Sequence, residues 1–145
     1  TIVPEATITT DLIVGFPGET ERDFEDSLDI LNRVKFDKVH VAAYSERKGT
    51  FAFRQIDDDI PMEEKRIRLN TVNQLQDKIQ KKLNSKYLNK KFDVLVEGKN
   101  RDMYFGRTEG DKLVYLDNLD EKFIGEIIKT LITDYSPYSL NAEKI

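Results

Sequence analysis

The chain contains no cysteine and no tryptophan, and a single histidine, His40, among its 145 residues. Without thiols it forms no disulfide, offers no thiolate to a metal and presents no cysteine nucleophile. One imidazole is too few for a zinc site. No apolar run approaches the roughly 20 residues that a membrane helix requires, and the N-terminus lacks the basic-then-apolar pattern of a secretory signal. These absences lead us to expect a cytoplasmic protein with no membrane partner. Neither sign of charge dominates, since the formal net charge is −4. Residues 1–86 carry 14 Lys and Arg against 16 Asp and Glu, and residues 87–145 carry nine against 11. Neither part is a polycation, so a contact with nucleic acid must come from a local patch. The chain opens on Thr1 and runs almost at once into an apolar segment, as expected of a fragment.

What is present has a clear order. Ile8–Val14 (ITTDLIV) reads as a strand that stops at Gly15. Thr20 is a good helix N-cap, Asp23 completes an acidic variant of the capping box, and Phe24, Leu28, Leu31 and Val34 recur at helical spacing. Lys38–Tyr44 (KVHVAAY) is a second strand. Strand, helix and strand within about 37 residues is the size of a right-handed βαβ unit with parallel strands. Ile8, Leu12 and Val14 share one strand face; Thr9, Asp11, Ile13 and Gly15 share the other. In the second strand Val39, Val41 and Ala43 oppose His40, Ala42 and Tyr44. Each strand has an apolar face for helices and a mixed face of small and polar residues, as expected of a barrel whose interior holds a ligand.

Residues 45–60 read as irregular, with Gly49 and an acidic run at Asp57–Asp59. Pro61 suits a helix start, and Leu69, Val72, Leu75, Ile79 and Leu83 form one stripe of a helix of about 24 residues. From Tyr87 the pattern changes to short strands at FDVLVE (92–97), MYFGRT (103–108), KLVYL (112–116), GEIIKTLIT (125–133) and a last piece near Tyr138–Leu140. Several short strands in under 60 residues suggest a small closed β-barrel, with the boundary between Ser85 and Lys91.

Gly15-Phe16-Pro17-Gly18-Glu19 follows a parallel strand and precedes a helix, where α/β folds bind ligands; on residues alone it reads first as an ordinary βα turn. It is no P-loop. His40 reads as an interior residue of the strand, and Asp57–Asp59 as a solvated loop. Tyr104, Phe105, Arg107, Lys112, Tyr115 and Tyr138 interleave aromatics with cations, as base-stacking and phosphate-contacting surfaces do. The same aromatics can instead fill a small barrel.

The order of these motifs resembles a known family. TDLIVGFPGETERDFEDSLDILNRVKFDKVHVAAYSERKGT resembles the last part of the radical S-adenosylmethionine (SAM) barrel of the methylthiotransferases, and PMEEKRIRLNTVNQLQDKI is similar to their final barrel helix. FDVLVEG, MYFGRTEGDKLVYL and GEIIKTLITDYSPYSL resemble the TRAM domain, a small RNA-binding β-barrel. The resemblance implies an α/β plus all-β chain. Residues 1–86 would be the C-terminal part of a parallel (β/α) barrel, including the long helix, and residues 87–145 a TRAM-type antiparallel β-barrel.

GRTEGDKLVYL resembles the branch that adds a methylthio group at C2 of N6-isopentenyladenosine-37 in tRNA. The ribosomal protein S12 and threonylcarbamoyladenosine branches are relatives, and a free-standing RNA-binding module is the rival reading. The resemblance places Ile13, Gly15, Gly18 and Glu19 at the adenine end of a SAM pocket, with His40, Ala42 and Tyr44 beside them. It makes Tyr104, Arg107, Lys112, Tyr115 and Tyr138 the RNA face, with the tRNA anticodon stem-loop as partner. The family's SAM chemistry uses two 4Fe-4S clusters held by upstream cysteines. This chain is therefore expected to bind no cluster and to be inactive alone, and its exposed barrel strands suggest self-association.

Overall fold

The computed structural model describes residues 6–117 and 119–145. The chain divides into two compact units, one comprising Ile8–Ile79 and the other Gln80–Ile145 together with Ala6 and Thr7.

In the first unit, β1 (Thr9–Val14), α1 (Glu21–Val34) and β2 (Lys38–Ala43) follow in order, and the two strands pair in parallel from Thr9 opposite Lys38 to Val14 opposite Ala43. The capping box forms as its sequence dictates. The Thr20 hydroxyl accepts from the Asp23 N–H at 3.2 Å, and the Asp23 carboxylate accepts from the Thr20 N–H at 2.9 Å. Hydrogen bonds from the Thr20 hydroxyl and then its backbone hold the Asp23 carboxyl below its ordinary 3.8. A depressed folded value means that this contribution is fully present above the unfolded value and is lost as pH falls through the folded one. In Thr20→Ala the Asp23 carboxyl should titrate closer to 3.8 by NMR, and the helix should melt earlier. An unchanged titration would remove the cap from this account.

At the other end α1 stops at Lys35, which is left-handed with φ +58° and donates its N–H to the Leu31 carbonyl at 3.0 Å. Phe24 and Leu31 of α1 pack with Val14 and Val72, and Leu12, Val39 and Val41 join them from the strands. The strand face that holds Leu12 and Val14 is thus the packed one, as alternation requires.

Between β2 and the long helix lies a correction to the sequence reading. Residues 45–60 are not irregular throughout, because Phe51–Gln55 form a short helix, α2. Thr50 caps it by accepting the Phe53 N–H at 3.2 Å. Helix α3 then runs from Met62 to Asn84, 23 residues. Its buried stripe is less apolar than Leu69–Leu83 suggested: Lys65, Arg68, Val72, Gln76 and Ile79 are the buried positions within the first unit. The Gln76 side-chain amide donates to the Phe36 carbonyl at 2.9 Å.

The second unit is a ring of five strands, β3 (Lys91–Asn100), β4 (Met103–Thr108), β5 (Leu113–Leu116), β6 (Ile127–Tyr135) and β7 (Leu140–Lys144). Pairing runs β3–β4–β5–β7–β6 and closes from β6 back to β3. Two features differ from the sequence reading. β5 and β7 pair in parallel, so the barrel is mixed rather than wholly antiparallel. The last strand begins at Leu140, where the expected piece near Tyr138 ends. The displacement has a local cause, since Ser136–Ser139 closes on itself through the Ser136 N–H to the Ser139 carbonyl at 2.8 Å and the Ser139 N–H to the Ser136 hydroxyl at 2.9 Å. Asn84 at the end of α3 clasps this turn, donating to the Ser136 and Pro137 carbonyls at 2.8 and 3.0 Å. Period-2 alternation fills the interior with Val94, Val96, Tyr104, Val114, Leu116, Ile128, Ile132, Leu140 and Ala142.

Candidate functional site

The turn after β1 is built on two glycines. Gly15 and Gly18 have φ of +69° and +83°, values that favour glycine. The Glu19 N–H returns to the Phe16 carbonyl at 2.9 Å and closes the turn. Its outward donors are engaged by carboxylates of the same unit: the Gly15 N–H donates to Glu19 Oε2 at 2.6 Å, and the Gly18 N–H to Asp59 Oδ1 at 2.8 Å.

Behind the turn, α3 supplies two buried cations. Lys65 is 1% exposed, and its ammonium donates to Asp58 Oδ1 and Oδ2 at 2.6 and 2.5 Å. It also lies 5.1 Å from the centre of the Tyr44 ring. A Cβ on Gly15 would run into the Lys65 stem. Gly15 is therefore fixed by close approach as well as by its backbone angle.

Arg68, 4% exposed, donates through Nη1 to Glu19 Oε2 at 2.5 Å and to the Glu19 carbonyl at 3.1 Å. Its Nη2 bonds the Glu64 carboxylate and lies 3.5 Å from Glu21. Burial pushes the Arg68 pKa down, but the hydrogen bond to Glu19 and the charges of Glu19, Glu64 and Glu21 outweigh it and hold the group above its ordinary value. The guanidinium stays charged throughout the accessible pH range.

The open face beside this turn carries Ile13, 55% exposed, opposite Ala42, and Asp11 opposite His40. His40 and Ala42 are exposed as well. Tyr44 differs from them. It is 9% exposed, and its ring meets Phe16 edge-on at 5.0 Å. Among the seven residues read as SAM-binding, Ile13, His40 and Ala42 are thus presented on one face. Gly15, Gly18 and Glu19 form the turn, and Tyr44 supports it from within.

Sequence reasoning missed Asp58, Asp59, Lys65 and Arg68. In sequence the first two belong to what reads as a solvated run, Asp57–Asp59. The second two had a signal: Lys65 and Arg68 precede Val72 in phase with the apolar stripe of α3, so charges on that stripe had to be buried with partners.

In the barrel, the residues read as RNA-binding divide. Tyr104 is 6% exposed and belongs to the core, with the Lys99 ammonium 5.0 Å from its ring centre. Lys112 is 9% exposed and its ammonium lies 5.8 Å from the Tyr87 ring centre. Arg107 is half-exposed but bound to Asp111 Oδ1 at 3.0 Å and 3.5 Å from Glu97. Tyr115, half-buried, sits opposite Phe105 on the outer face of β4 and β5, and Tyr138 is 67% exposed. Phe105 lies over Gly98, where a Cβ would approach the tip of its ring to 3.3 Å. A second aromatic pair, Tyr87 and Phe92, 4.9 Å apart, lines a concavity of about 720 Å³ with Lys91, Lys129 and Asp93.

The first unit is thus one βαβ and long-helix segment with a glycine turn braced by buried ion pairs, and the second is a small closed barrel with aromatics on its outer face. Residues 85–145 match the family model for the TRAM domain. The chain as a whole is homologous to the C-terminal part of tRNA-2-methylthio-N(6)-dimethylallyladenosine synthases. It is 41% identical over 145 residues to the one from Dehalococcoides mccartyi, covering 100% of this chain and 34% of that protein. To the one from Acetivibrio thermocellus it is 43% identical over 141 residues, 95% of this chain and 29% of the relative. To that of Pseudothermotoga lettingae it is 42% identical over 113 residues, 77% and 26% of the two chains. The chain spans about a third of the length of the curated relatives it matches. Among the described residues no helix is long and apolar enough to cross a membrane.

Proposed function

We propose that the chain is the C-terminal part of a tRNA methylthiotransferase, a cytoplasmic radical SAM enzyme that adds a methylthio group to an isopentenylated adenosine of tRNA. The first unit is the end of the catalytic barrel and the second binds the tRNA. The observation that carries this reading is 41% identity over all 145 residues of this chain to a synthase named for that reaction. Fold-level analogy agrees, since small mixed barrels of this kind carry oligonucleotides on their strand faces.

In this reading SAM supplies the radical and methyl chemistry, and the chain's residues position its adenine end. Ile13 and Ala42 are exposed and paired across β1 and β2, with exposed His40 two residues before Ala42 on the same face, so a branched aliphatic group, a small one and a planar ring are offered to a flat heterocycle. Gly15, Gly18 and Glu19 fix the turn beside them, and Tyr44 braces it. The backbone donors of Gly15 and Gly18 are already occupied, so adenine specificity here rests on shape and stacking. Among the described residues β1 and β2 pair only with each other, and their other edges suit pairing with further parallel strands of the same barrel, or with a second copy of the chain. The two 4Fe-4S clusters of the reaction need thiolates, which this cysteine-free chain does not supply. Anaerobic reconstitution of the chain alone is therefore expected to give no cluster absorption, and a stoichiometric cluster would contradict the proposed division of labour.

On the barrel, Phe105, Tyr115 and Tyr138 offer rings to unpaired bases, and Arg107, on the same face of β4 as Phe105, stands nearby as a cation, whereas Lys112 is buried against Tyr87. Arg107 must exchange Asp111 and Glu97 for phosphate to contribute, so aromatic stacking carries more of the affinity than charge. Titration of the chain with an anticodon stem-loop at several salt concentrations tests this. Phe105→Ala and Tyr115→Ala should each weaken binding by about 1–3 kcal/mol. Arg107→Ala should change the salt slope by less than the ~0.7 of a full phosphate contact to single-stranded RNA. Undiminished affinity in the two aromatic variants would overturn the outer face of β4 and β5 as the RNA site.

A further inference from the structure

The loop after β2 belongs to neither site above, yet it carries the strongest coincidence of charge and exposed aromatic surface in the first unit. Arg47, Lys48 and Arg54 lie within eight residues, and among the described residues none of the three has a carboxylate within ion-pair distance. Arg54 is instead held on the loop's own backbone, donating through Nε to the Thr50 carbonyl at 3.3 Å and through Nη2 to the Gly49 carbonyl at 3.1 Å. The turn is fixed by Thr50, whose hydroxyl and N–H both donate to the Arg47 carbonyl, at 2.8 and 3.2 Å. Gly49, with φ +89°, allows the chain to reverse there. On this ordered turn Phe51 is 71% exposed and Phe53 40% exposed. Rings of this size are ordinarily buried because removing them from water is favourable, so two of them left in water beside three cations with no carboxylate partner among the described residues mark a contact surface.

We propose that Arg47–Arg54 is a second RNA contact, in which Phe51 and Phe53 stack on unpaired bases and Arg47, Lys48 and Arg54 meet the backbone phosphates. A polyanion suits the patch because, among the described residues, its cations have no carboxylate to displace, unlike Arg107 of the barrel; Arg54, held on backbone carbonyls through Nε and Nη2, would meet phosphate through Nη1. Unpaired RNA suits it because base stacking on side-chain rings needs splayed bases. Position agrees with a role near chemistry. The loop leaves the C-terminal end of a parallel strand, as the glycine turn after β1 does, and this is the end at which α/β sheets bind ligands. The inference rests on the tRNA reading only for the choice of RNA, since the site is independent of the barrel face.

The experiment is titration of the whole chain with an anticodon stem-loop, comparing Arg47→Ala/Lys48→Ala, Phe51→Ala, the barrel variant Phe105→Ala, and the unaltered chain. Phe51 is largely exposed, so its removal should leave the melting temperature unchanged. The expected result is an affinity at least about fivefold lower in Phe51→Ala, and a salt slope flatter by about 1.4 in the double variant, at roughly 0.7 per phosphate. A 4-thiouridine-substituted loop should also crosslink to a peptide containing residues 47–54. If both loop variants bind like the unaltered chain while Phe105→Ala weakens, this proposal is overturned and the barrel reading stands. If the loop variants weaken and Phe105→Ala does not, the loop is the RNA site and the barrel reading falls. Absence of RNA binding by the unaltered chain at low salt overturns both.

Discussion

Replacing Gly106 with alanine is expected to destabilise the barrel by ~3 kcal/mol or more, the upper end of what overpacking costs. Gly106 lies in β4 between Val96 of β3 and Val114 of β5. A Cβ there would run into the Leu95 carbonyl oxygen, with the Leu95 carbonyl carbon and Val94 Cγ1 each at 2.9 Å. Most of those atoms are backbone, so no rotamer change relieves the clash; β3 and β4 must separate or the barrel must open. Gly98 provides the contrast. A Cβ there meets only the tip of the Phe105 ring, at 3.3 and 3.4 Å, and a ring tip yields by a small rotation. Gly98→Ala should therefore be near neutral for stability, and its interest lies in whether it moves the Phe105 ring. Thermal unfolding followed by near-ultraviolet dichroism of the tyrosines separates the two variants. Equal melting temperatures for Gly98→Ala and Gly106→Ala would refute the assignment of Gly106 to a backbone contact.

The same pair of glycines shows what the sequence could and could not reveal. Alternation placed Val94, Val96, Val114 and Leu116 indoors correctly, because a two-residue period is a local property. It could not say that β5 and β7 run in parallel, since the sequence of a strand does not encode the direction of its neighbour. Tyr104 is a related case. Its inward position follows from the same parity as Gly106 and Thr108, whereas aromatics interleaved with cations and the resemblance to RNA-binding barrels point to the RNA face. In the first unit, the capping box at Thr20 and Asp23 was legible because both partners lie within one turn of helix. The brace behind Gly15 was not, because Asp58, Asp59, Lys65 and Arg68 lie 40 or more residues away, and only the fold brings them together. The residues of the candidate site were named from resemblance and from strand parity; the residues that hold them in place were named by the structure.

That brace predicts the second large effect. Arg68→Met should destabilise the first unit by about 3–5 kcal/mol, the cost of removing one partner from a buried ion pair. The methionine fills much of the volume, but Glu19 keeps its carboxylate at 11% exposure and loses the guanidinium that lay 2.5 Å from it. Glu21, at 71% exposure, contributes little to this figure, as exposed pairs do. Glu19→Gln should cost less, because Arg68 retains Glu64 and the amide can still accept from the Gly15 N–H. In the double variant no buried charge is stranded, so its cost should fall below the sum of the two single changes, which is the signature of a coupled pair. Amide exchange then tests where the damage goes. The Gly15 N–H, bonded to Glu19, should exchange faster in Arg68→Met, whereas the Gly18 N–H, bonded to Asp59, should keep its protection at conditions where the unit remains folded. If both amides lose protection together and the costs simply add, Arg68 supports the helix packing in general. If only Gly15 is released, Arg68 is the residue that fixes the glycine turn, and with it the position of Ile13 at the end of β1.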